Sequence, residues 1–172
     1  IPYLLQQEYG FTATFSGLGL TASALAWATG AELQGRFGDR LGNARITGIA
    51  TTLLVTAIAS AVLTAAFHLH PALLIGGWLL AGGGMGLLYP RLTVLTLAYS
   101  TPANQGFNSS ALSISDSLGS SMTIAAMGLV FVGLGSGQWA FTIVFAVAGL
   151  LALFTLVPGL RLGHAHEAQR LT

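Results

Sequence analysis

The chain has 172 residues, of which 53% are hydrophobic and only 6% are charged. An average soluble domain carries about 25% charged residues, so this composition excludes a water-soluble globule, and it equally excludes a disordered chain, which is poor in apolar residues. The net charge of +1 and the absence of cysteine exclude an electrostatic nucleic-acid binder and any disulfide framework or thiolate metal site. The class of protein that this composition leaves is an integral membrane protein.

The charged residues leave four long uncharged stretches, at residues 9–31, 46–90, 92–115 and 117–160. A helix that crosses a bilayer needs about 20 apolar residues, so the second and fourth stretches are each long enough for two spans. A secretory signal peptide would supply only one short apolar run. Because the chain begins at Ile1 inside an apolar segment, we expect it to be a piece of a longer protein.

The stretches predict a series of membrane-spanning helices. Residues 1–7 are expected to be the end of a helix that begins upstream. Five complete spans follow, over residues 14–36, 46–67, 72–99, 106–134 and 139–160, the third interrupted by Pro90. The predicted connections are a polar loop at 35–45, a tight turn at 68–71, a loop at 100–105 and a glycine-rich turn at 133–137. A polar tail is expected at residues 161–172.

The distribution of arginine predicts the orientation. The six basic residues are Arg36, Arg40 and Arg45 in the first loop, Arg91 near the third connection, and Arg161 and Arg170 in the tail. If the spans alternate, these regions share one side of the membrane, and the turns on the other side contain no basic residue. The positive-inside rule then predicts a cytoplasmic tail and an external Glu8.

The first loop contains the pattern G-x-x-x-D-R-x-G-x-x-R, formed by Gly35, Asp39, Arg40, Gly42 and Arg45. The glycines permit positive φ and close helix approach, which suits a short reversal between spans. Asp39 is expected to accept hydrogen bonds from a nearby helix N-terminus, and the arginines to hold the loop in the cytoplasm. The alternative is a plain, positively charged turn.

This pattern resembles the cytoplasmic loop signature of the major facilitator superfamily, which occurs between helices 2 and 3 and between helices 8 and 9. Only the second copy leaves four further spans and a tail after it. Residues 1–11 and 105–111 similarly resemble the helix 7–8 junction and the start of helix 11 in the drug:proton antiporter-like branch. Ala44 departs from the family pattern, which usually carries two adjacent basic residues at that point.

The resemblance implies an all-α membrane protein whose residues 1–160 are the C-terminal half of a major facilitator fold, from the end of helix 7 to helix 12. It implies alternating-access transport of a small molecule across a cell membrane, as proton-coupled efflux without a cofactor, with a missing N-terminal half as partner. A non-transporting membrane scaffold with the same fold is the alternative. The lysine-free, arginine-rich composition is typical of proteins from high-GC bacteria.

Asp116 is the strongest candidate for a functional residue. It lies about ten residues into the fourth span, or roughly 15 Å at 1.5 Å per residue, near the middle of a ~30 Å hydrocarbon core. An acid at this depth costs about 2.5–3.5 kcal/mol on insertion, which favours a functional role. Ser109, Ser113 and Ser120 share its helix face, and we expect an inward-facing site for a proton or substrate. Structural hydrogen bonding within a serine-rich packing face is the alternative.

Two other charged residues are secondary candidates. Glu32 and Arg36 stand in the favourable order for an i,i+4 ion pair, and an interface pair is the preferred interpretation. Arg91 follows Pro90 near the end of the third span, and extension of its side chain to the interface is preferred over a gating role.

The remaining motifs indicate packing rather than chemistry. The G-x-x-x-G pairs Gly82/Gly86 and Gly133/Gly137 are typical of close contacts between membrane helices. Two H-x-H pairs, at residues 68–70 and 164–166, lack the third ligand that a metal site normally needs, so no metal is expected.

Overall fold

The computed structural model describes residues 1–135 and 137–169, with side chains described as far as Leu153. In this part of the chain there are six α-helices and no strand, which confirms the predicted all-α class there. The helices are α1 (Pro2–Tyr9), α2 (Ala13–Leu41), α3 (Asn43–Phe67), α4 (Pro71–Ala98), α5 (Gln105–Gly133) and α6 (Gln138–Gln169).

Three of these helices, α3, α4 and α5, are long and apolar enough to cross a membrane. The described side chains of α6 add a shorter apolar segment, Gln138–Leu153. α2 has 29 residues, but glycine, serine and threonine dilute its apolar residues. A multi-pass membrane protein is therefore supported, while the number of five complete spans stays a prediction.

The predicted polar loop at residues 35–45 is wrong. α2 continues to Leu41 and α3 begins at Asn43, so Gly42 alone lies between them. Gly42 adopts φ 78° and ψ 161°, a backbone region that is essentially restricted to glycine. Because one glycine reverses the chain by itself, the polar residues on both sides of it remain helical.

Two helices are also more continuous than the sequence predicted. Pro90 lies inside α4, which continues on both sides of it, although the proline removes one backbone donor from the helix. α6 extends to Gln169, so the backbone of the predicted polar tail is helical from residue 161 to that point. Residues 170–172, which include Arg170, lie outside the described residues.

α4 is the central helix and packs against both α2 and α3. A Cβ added at Gly82 would collide with the carbonyl oxygen of Ser23, and one added at Gly86 with the carbonyl oxygen of Trp27, both on α2. Gly84 faces the opposite way, toward α3. Close packing at the Gly82/Gly86 pair is thus confirmed, and glycine sets how near the two helices approach.

The connections lie at two ends of the bundle. We call the end with Gly42 and Arg91 the arginine end, and the end with residues 68–70 the histidine end. At the histidine end, the Tyr9 hydroxyl donates to the Leu69 carbonyl oxygen at 2.7 Å, and the Gln138 side chain donates to the carbonyl oxygen of Ala65 at 3.0 Å. These contacts show that α1, α3, α4 and α6 meet there, so successive helices alternate in direction.

The buried apolar cluster lies at the histidine end. Its members are Leu4, Leu5, Ala61, Ala65, Leu74 and Phe141. α5, by contrast, contains no buried residue and makes only limited contacts with α4 and α6. The helix that carries Asp116 is therefore the most exposed of the long helices whose side chains are fully described.

Candidate functional site

Arg91 joins three helices at the arginine end. Its guanidinium donates from Nη1 to Asp39 Oδ1 on α2 at 3.2 Å, and from Nε to Asn43 Oδ1 on α3. Arg91 is only 7% exposed, so the prediction that it extends to the membrane interface is wrong. The guanidinium thus has two hydrogen-bond acceptors inside the protein, the side-chain oxygens of Asp39 and Asn43. Hydrogen bonds from a charged arginine to such oxygens are strong.

Asp39 has a different partner from the one expected. The N-terminus of α3 receives no side-chain cap hydrogen bond, and the Asp39 carboxylate instead accepts from Arg91. The Asp39 side chain is 93% exposed, so the ion pair lies at the edge of the bundle. Of the loop-pattern residues, the described hydrogen bonds bring only Asp39 to Arg91, while Gly35, Arg40 and Arg45 are exposed.

Glu32 and Arg36 form the predicted i,i+4 ion pair. Arg36 Nε lies 2.5 Å from Glu32 Oε1, and both side chains are more than 60% exposed. An exposed pair of this kind contributes about 0.3–0.5 kcal/mol. The ion pair itself is confirmed, its position at the membrane interface stays a prediction, and the pair adds little to a candidate site.

Asp116 forms a hydrogen bond between two membrane-spanning helices. The Tyr89 hydroxyl of α4 donates to Asp116 Oδ2 of α5 at 3.1 Å. The ring of Tyr89 also contacts Trp27 of α2 in a tilted arrangement, with ring centroids 6.0 Å apart. Tyr89 thus contacts both a carboxylate and an indole, and a residue from each of three helices contributes to the cluster.

The serines predicted to surround Asp116 lie on an open face. Ser113, Asp116 and Ser120 are exposed, and Ser109 is half-buried. Ser120 donates to the carbonyl oxygen of Ser117 within α5. Within the described part of this chain the face is open, because α5 makes few contacts with the other helices, and its inward orientation in the protein stays a prediction.

Few titratable groups face Asp116. Tyr89 is the partner from α4, and residues 138–153 of the neighbouring α6 contain no acidic, basic or tyrosine side chain. Asp116 is also the sole titratable side chain of α5. The cluster thus combines one acid, two aromatic rings and serine hydroxyls, a set that can hold a proton or a polar group of a ligand.

The histidine end carries a second polar group. His68 Nε2 lies 3.7 Å from Glu8 Oε2, and His70 Nδ1 accepts from the backbone of Ala72 to cap α4. Burial and then the charge of Glu8 raise the pKa of the Tyr9 hydroxyl. Among the described residues, no group of three His, Cys, Asp or Glu side chains could hold a metal.

An apolar groove of about 470 Å³ lies between α3 and α6. Its lining includes Val55, Ile58, Leu63 and Leu150, and none of these side chains has a polar atom. The groove is therefore separate from the Asp116 cluster, and its lining offers no side-chain hydrogen bond to a proton or a polar ligand.

Sequence reasoning missed Tyr89, Trp27 and Asn43 as members of these sites. Tyr89 and Arg91 lie two positions apart on one helix, which turns their side chains to nearly opposite faces. That spacing is visible in the sequence, but the partners on α2, α3 and α5 depend on how the helices pack.

A long-helix bundle with polar contacts between apolar helices defines the class: a multi-pass membrane protein. The family model described as the Major Facilitator Superfamily matches residues 1–170, and the chain belongs to that family. Its members are secondary transporters that move small molecules across a lipid bilayer and are in general not enzymes. This membership does not favour the scaffold alternative. No significant match is found among curated proteins or among solved structures.

Proposed function

We propose that this chain is the C-terminal half, from the end of helix 7 to helix 12, of a proton-coupled exporter of the drug:proton antiporter-like branch. In this proposal Asp116 is the proton site, and Ser109, Ser113 and Ser120 line the path beside it. The observation that supports the proposal is the Tyr89–Asp116 hydrogen bond, which is made by a lone acid in the middle part of an apolar helix and on its exposed face.

The proton role follows from the cost of a charge in the membrane. An ionisable residue at mid-bilayer is expensive to keep, and such residues usually mark proton, ion or substrate pathways. Asp116 can then accept a proton and release it when water or a substrate reaches the open face. Tyr89 would stabilise the ionised form by donating to it, and the half-buried and exposed serines would contact a small-molecule substrate.

The orientation belongs to the same proposal. The arginine end would face the cytoplasm of a bacterial cell and the histidine end the outside, as the positive-inside rule predicts. Gly35, Asp39, Arg40, Gly42 and Arg45 would form a conformational switch at the cytoplasmic end. The Arg91–Asp39 ion pair supports this assignment, because an ion pair between helices is a contact that a rearrangement can break.

The test of the proton role is Asp116→Asn in the natural full-length protein, reconstituted in proteoliposomes with an imposed pH gradient. We expect the variant to insert and to exchange substrate, but to lose gradient-driven accumulation, because asparagine mimics only the protonated form. Glu8→Gln, an acid at the opposite end of the bundle, is the matched control and should leave accumulation intact. Accumulation at the wild-type level by Asp116→Asn would eliminate the coupling role and leave Asp116 as a packing residue.

A further inference from the structure

One turn of α4 connects the Asp116 cluster with the arginine end. Tyr89 binds Asp116 of α5, and Arg91, two residues later, binds Asp39 of α2 and Asn43 of α3. Residues two apart on a helix project about 200° from each other. The same short segment of backbone therefore holds both contacts from opposite faces, and a displacement of the segment affects both.

Pro90 lies between these two residues and loosens the helix there. Proline has no N–H, so the carbonyl oxygen of Gly86, four residues earlier, lacks its helical donor. Gly86 is also one of the positions where α4 packs closely on α2, since a Cβ added there would collide with the backbone of Trp27 and Ala31. The segment from residue 86 to residue 91 thus has one backbone hydrogen bond fewer than the same length of uninterrupted helix. The segment begins at Gly86, where α4 packs on α2.

We infer that Tyr89 is a positioning residue that transmits the protonation state of Asp116 to the Arg91–Asp39 ion pair. An ionised carboxylate accepts the Tyr89 hydrogen bond and holds the 89–91 segment near α5. A proton on Asp116 removes the negative charge that strengthens this bond, so Tyr89 is released and the segment can shift about Pro90. Arg91 shifts with it, and its two contacts to α2 and α3 weaken.

Tyr89 also contacts Trp27 of α2 through a tilted ring pair, with ring centroids 6.0 Å apart. A tyrosine that leaves Asp116 therefore keeps an apolar neighbour on α2. Arg91 is buried, whereas Asp39 is open. Loss of the Arg91 contacts would therefore expose the junction between α2 and α3. The inference rests on the proposed role of Asp116. It adds a way in which protonation of Asp116 changes the contacts of Arg91 at the arginine end.

A single cysteine can report this exposure once any cysteine in the rest of the full-length protein is replaced, because the 172 residues of this chain contain none. Ala44 is half-buried beside Asn43, and Ala44→Cys places a thiol at the α2–α3 junction. The measurement is the rate at which a membrane-impermeant maleimide labels this thiol, in membranes that contain the full-length protein. The rate is measured for four proteins that all carry Ala44→Cys. They are the protein without a further change, Asp116→Asn, Tyr89→Phe, and the variant with both substitutions. Phenylalanine keeps the ring against Trp27 and removes only the hydroxyl.

We expect Asp116→Asn to change the labelling rate about fivefold or more, the lower range of coupling between distant sites, when Tyr89 is present. In the Tyr89→Phe background the same substitution should change the rate less than twofold. Tyr3→Phe is the matched control, since Tyr3 packs on Phe131 and Phe141 far along the chain from this turn. It should leave the fivefold response intact.

The possible outcomes distinguish the role of Tyr89 from the role of Asp116. An equal response to Asp116→Asn with and without the Tyr89 hydroxyl would overturn the role of Tyr89 while leaving the proton site standing. The role of Tyr89 is likewise overturned if Asp116→Asn abolishes gradient-driven accumulation but does not alter labelling. If Asp116→Asn alters neither accumulation nor labelling, the proton site and the transmission both fail.

Discussion

Arg91 shows how one buried side chain organises the arginine end of the bundle. A buried cation without partners costs far more than an exposed one, and Arg91 meets that cost with an acceptor from each of two neighbouring helices. Asn43, the first residue of α3, is itself buried and has its side-chain oxygen satisfied by Arg91. The arginine therefore fixes the register of α4 against the α2–α3 reversal.

We predict that Arg91→Met lowers the free energy of unfolding by about 1–3 kcal/mol, because it leaves the buried Asn43 oxygen without its donor. Arg36→Met is the matched control: it removes an exposed ion pair worth about 0–1 kcal/mol. Both variants are measured by denaturant unfolding in detergent. Equal destabilisation by the two would contradict the structural role of Arg91.

The two arginines also show what the sequence could reveal about single residues. The Glu32–Arg36 pair was predictable because its spacing within one helix determines the geometry. Arg91 has partners 52 and 48 residues away in the chain, and no local pattern encodes their distance. Its position near the end of the third span favoured extension to the interface, whereas the packing of three helices gives its guanidinium partners inside the protein.

At the scale of elements, glycine decides where helices touch. In α4, Gly82 and Gly86 meet α2 while Gly83 meets nothing within 4 Å of an added Cβ. In the part of the chain that the structure describes, the second G-x-x-x-G pair, Gly133 and Gly137, has nothing within that distance, so close packing is confirmed for one pair and not found for the other. The motif alone does not tell whether a partner helix lies opposite it.

Adjacent glycines of α4 allow a direct test of this packing. Gly86→Ala should destabilise the protein by about 1–3 kcal/mol, the usual cost of an overpacked contact, since the new Cβ meets the backbone of α2. Gly83→Ala should instead be neutral or stabilising by up to about 1 kcal/mol, because alanine is the better helix former. Melting temperatures in detergent compare the two, and a larger loss for Gly83→Ala would contradict the α2–α4 contact.

The loop pattern at residues 35–45 marks another limit of sequence reasoning about elements. Its glycines and charges are typical of a loop, yet most of its residues are helical, and Gly42 makes the whole reversal. Gly38 packs tightly on Gln34 and Ile46, whereas Gly35 has nothing nearby. The prediction of positive φ was right for Gly42 alone, because the sequence does not indicate which glycine of several carries the turn.

At the scale of the whole molecule, hydrogen bonds to carbonyl oxygens tie the histidine end together. The Tyr9 hydroxyl lies 2.7 Å from the carbonyl oxygen of Leu69 and 3.3 Å from that of Thr64, near the end of α3, where the last carbonyl groups lack helical donors. The side chain of Gln138 on α6 likewise donates to the carbonyl oxygen of Ala65. Side chains of α1 and α6 thus supply donors to the last carbonyl groups of α3. These hydrogen bonds stabilise the histidine end, where four helices meet.

Tyr9→Phe should lower the free energy of unfolding by about 0.5–1.5 kcal/mol, the net value of one hydrogen bond. Tyr3→Phe serves as the control, since the Tyr3 ring contributes aromatic contacts with Phe131 and Phe141 that phenylalanine preserves. Thermal unfolding in detergent measures both. Equal losses for the two tyrosines would show that the hydroxyl of Tyr9 adds nothing.

The orientation in the membrane gives the last prediction. The Arg91–Asp39 contact joins the α2–α3 reversal to the end of α4, and the Tyr9–Leu69 contact joins the end of α1 to the α3–α4 turn. The two connections therefore lie at opposite ends of the bundle, and α3, which connects them, is long enough to cross a bilayer. Arginine is concentrated at one end, which the positive-inside rule assigns to the cytoplasm.

Single cysteines at the two ends test this assignment in the cysteine-free chain. Ala44→Cys at the arginine end should react with an impermeant maleimide only from the cytoplasmic side, and Leu69→Cys at the histidine end only from the outside. Both positions lie on connections or helix ends, and Leu69 is 37% exposed, so the reagent can reach them. Intact cells and inside-out vesicles are labelled in parallel, with permeabilised cells as the control for total reactivity. Labelling of both cysteines from one side would overturn the membrane-spanning arrangement of α3, and labelling with the sides exchanged would overturn the orientation alone.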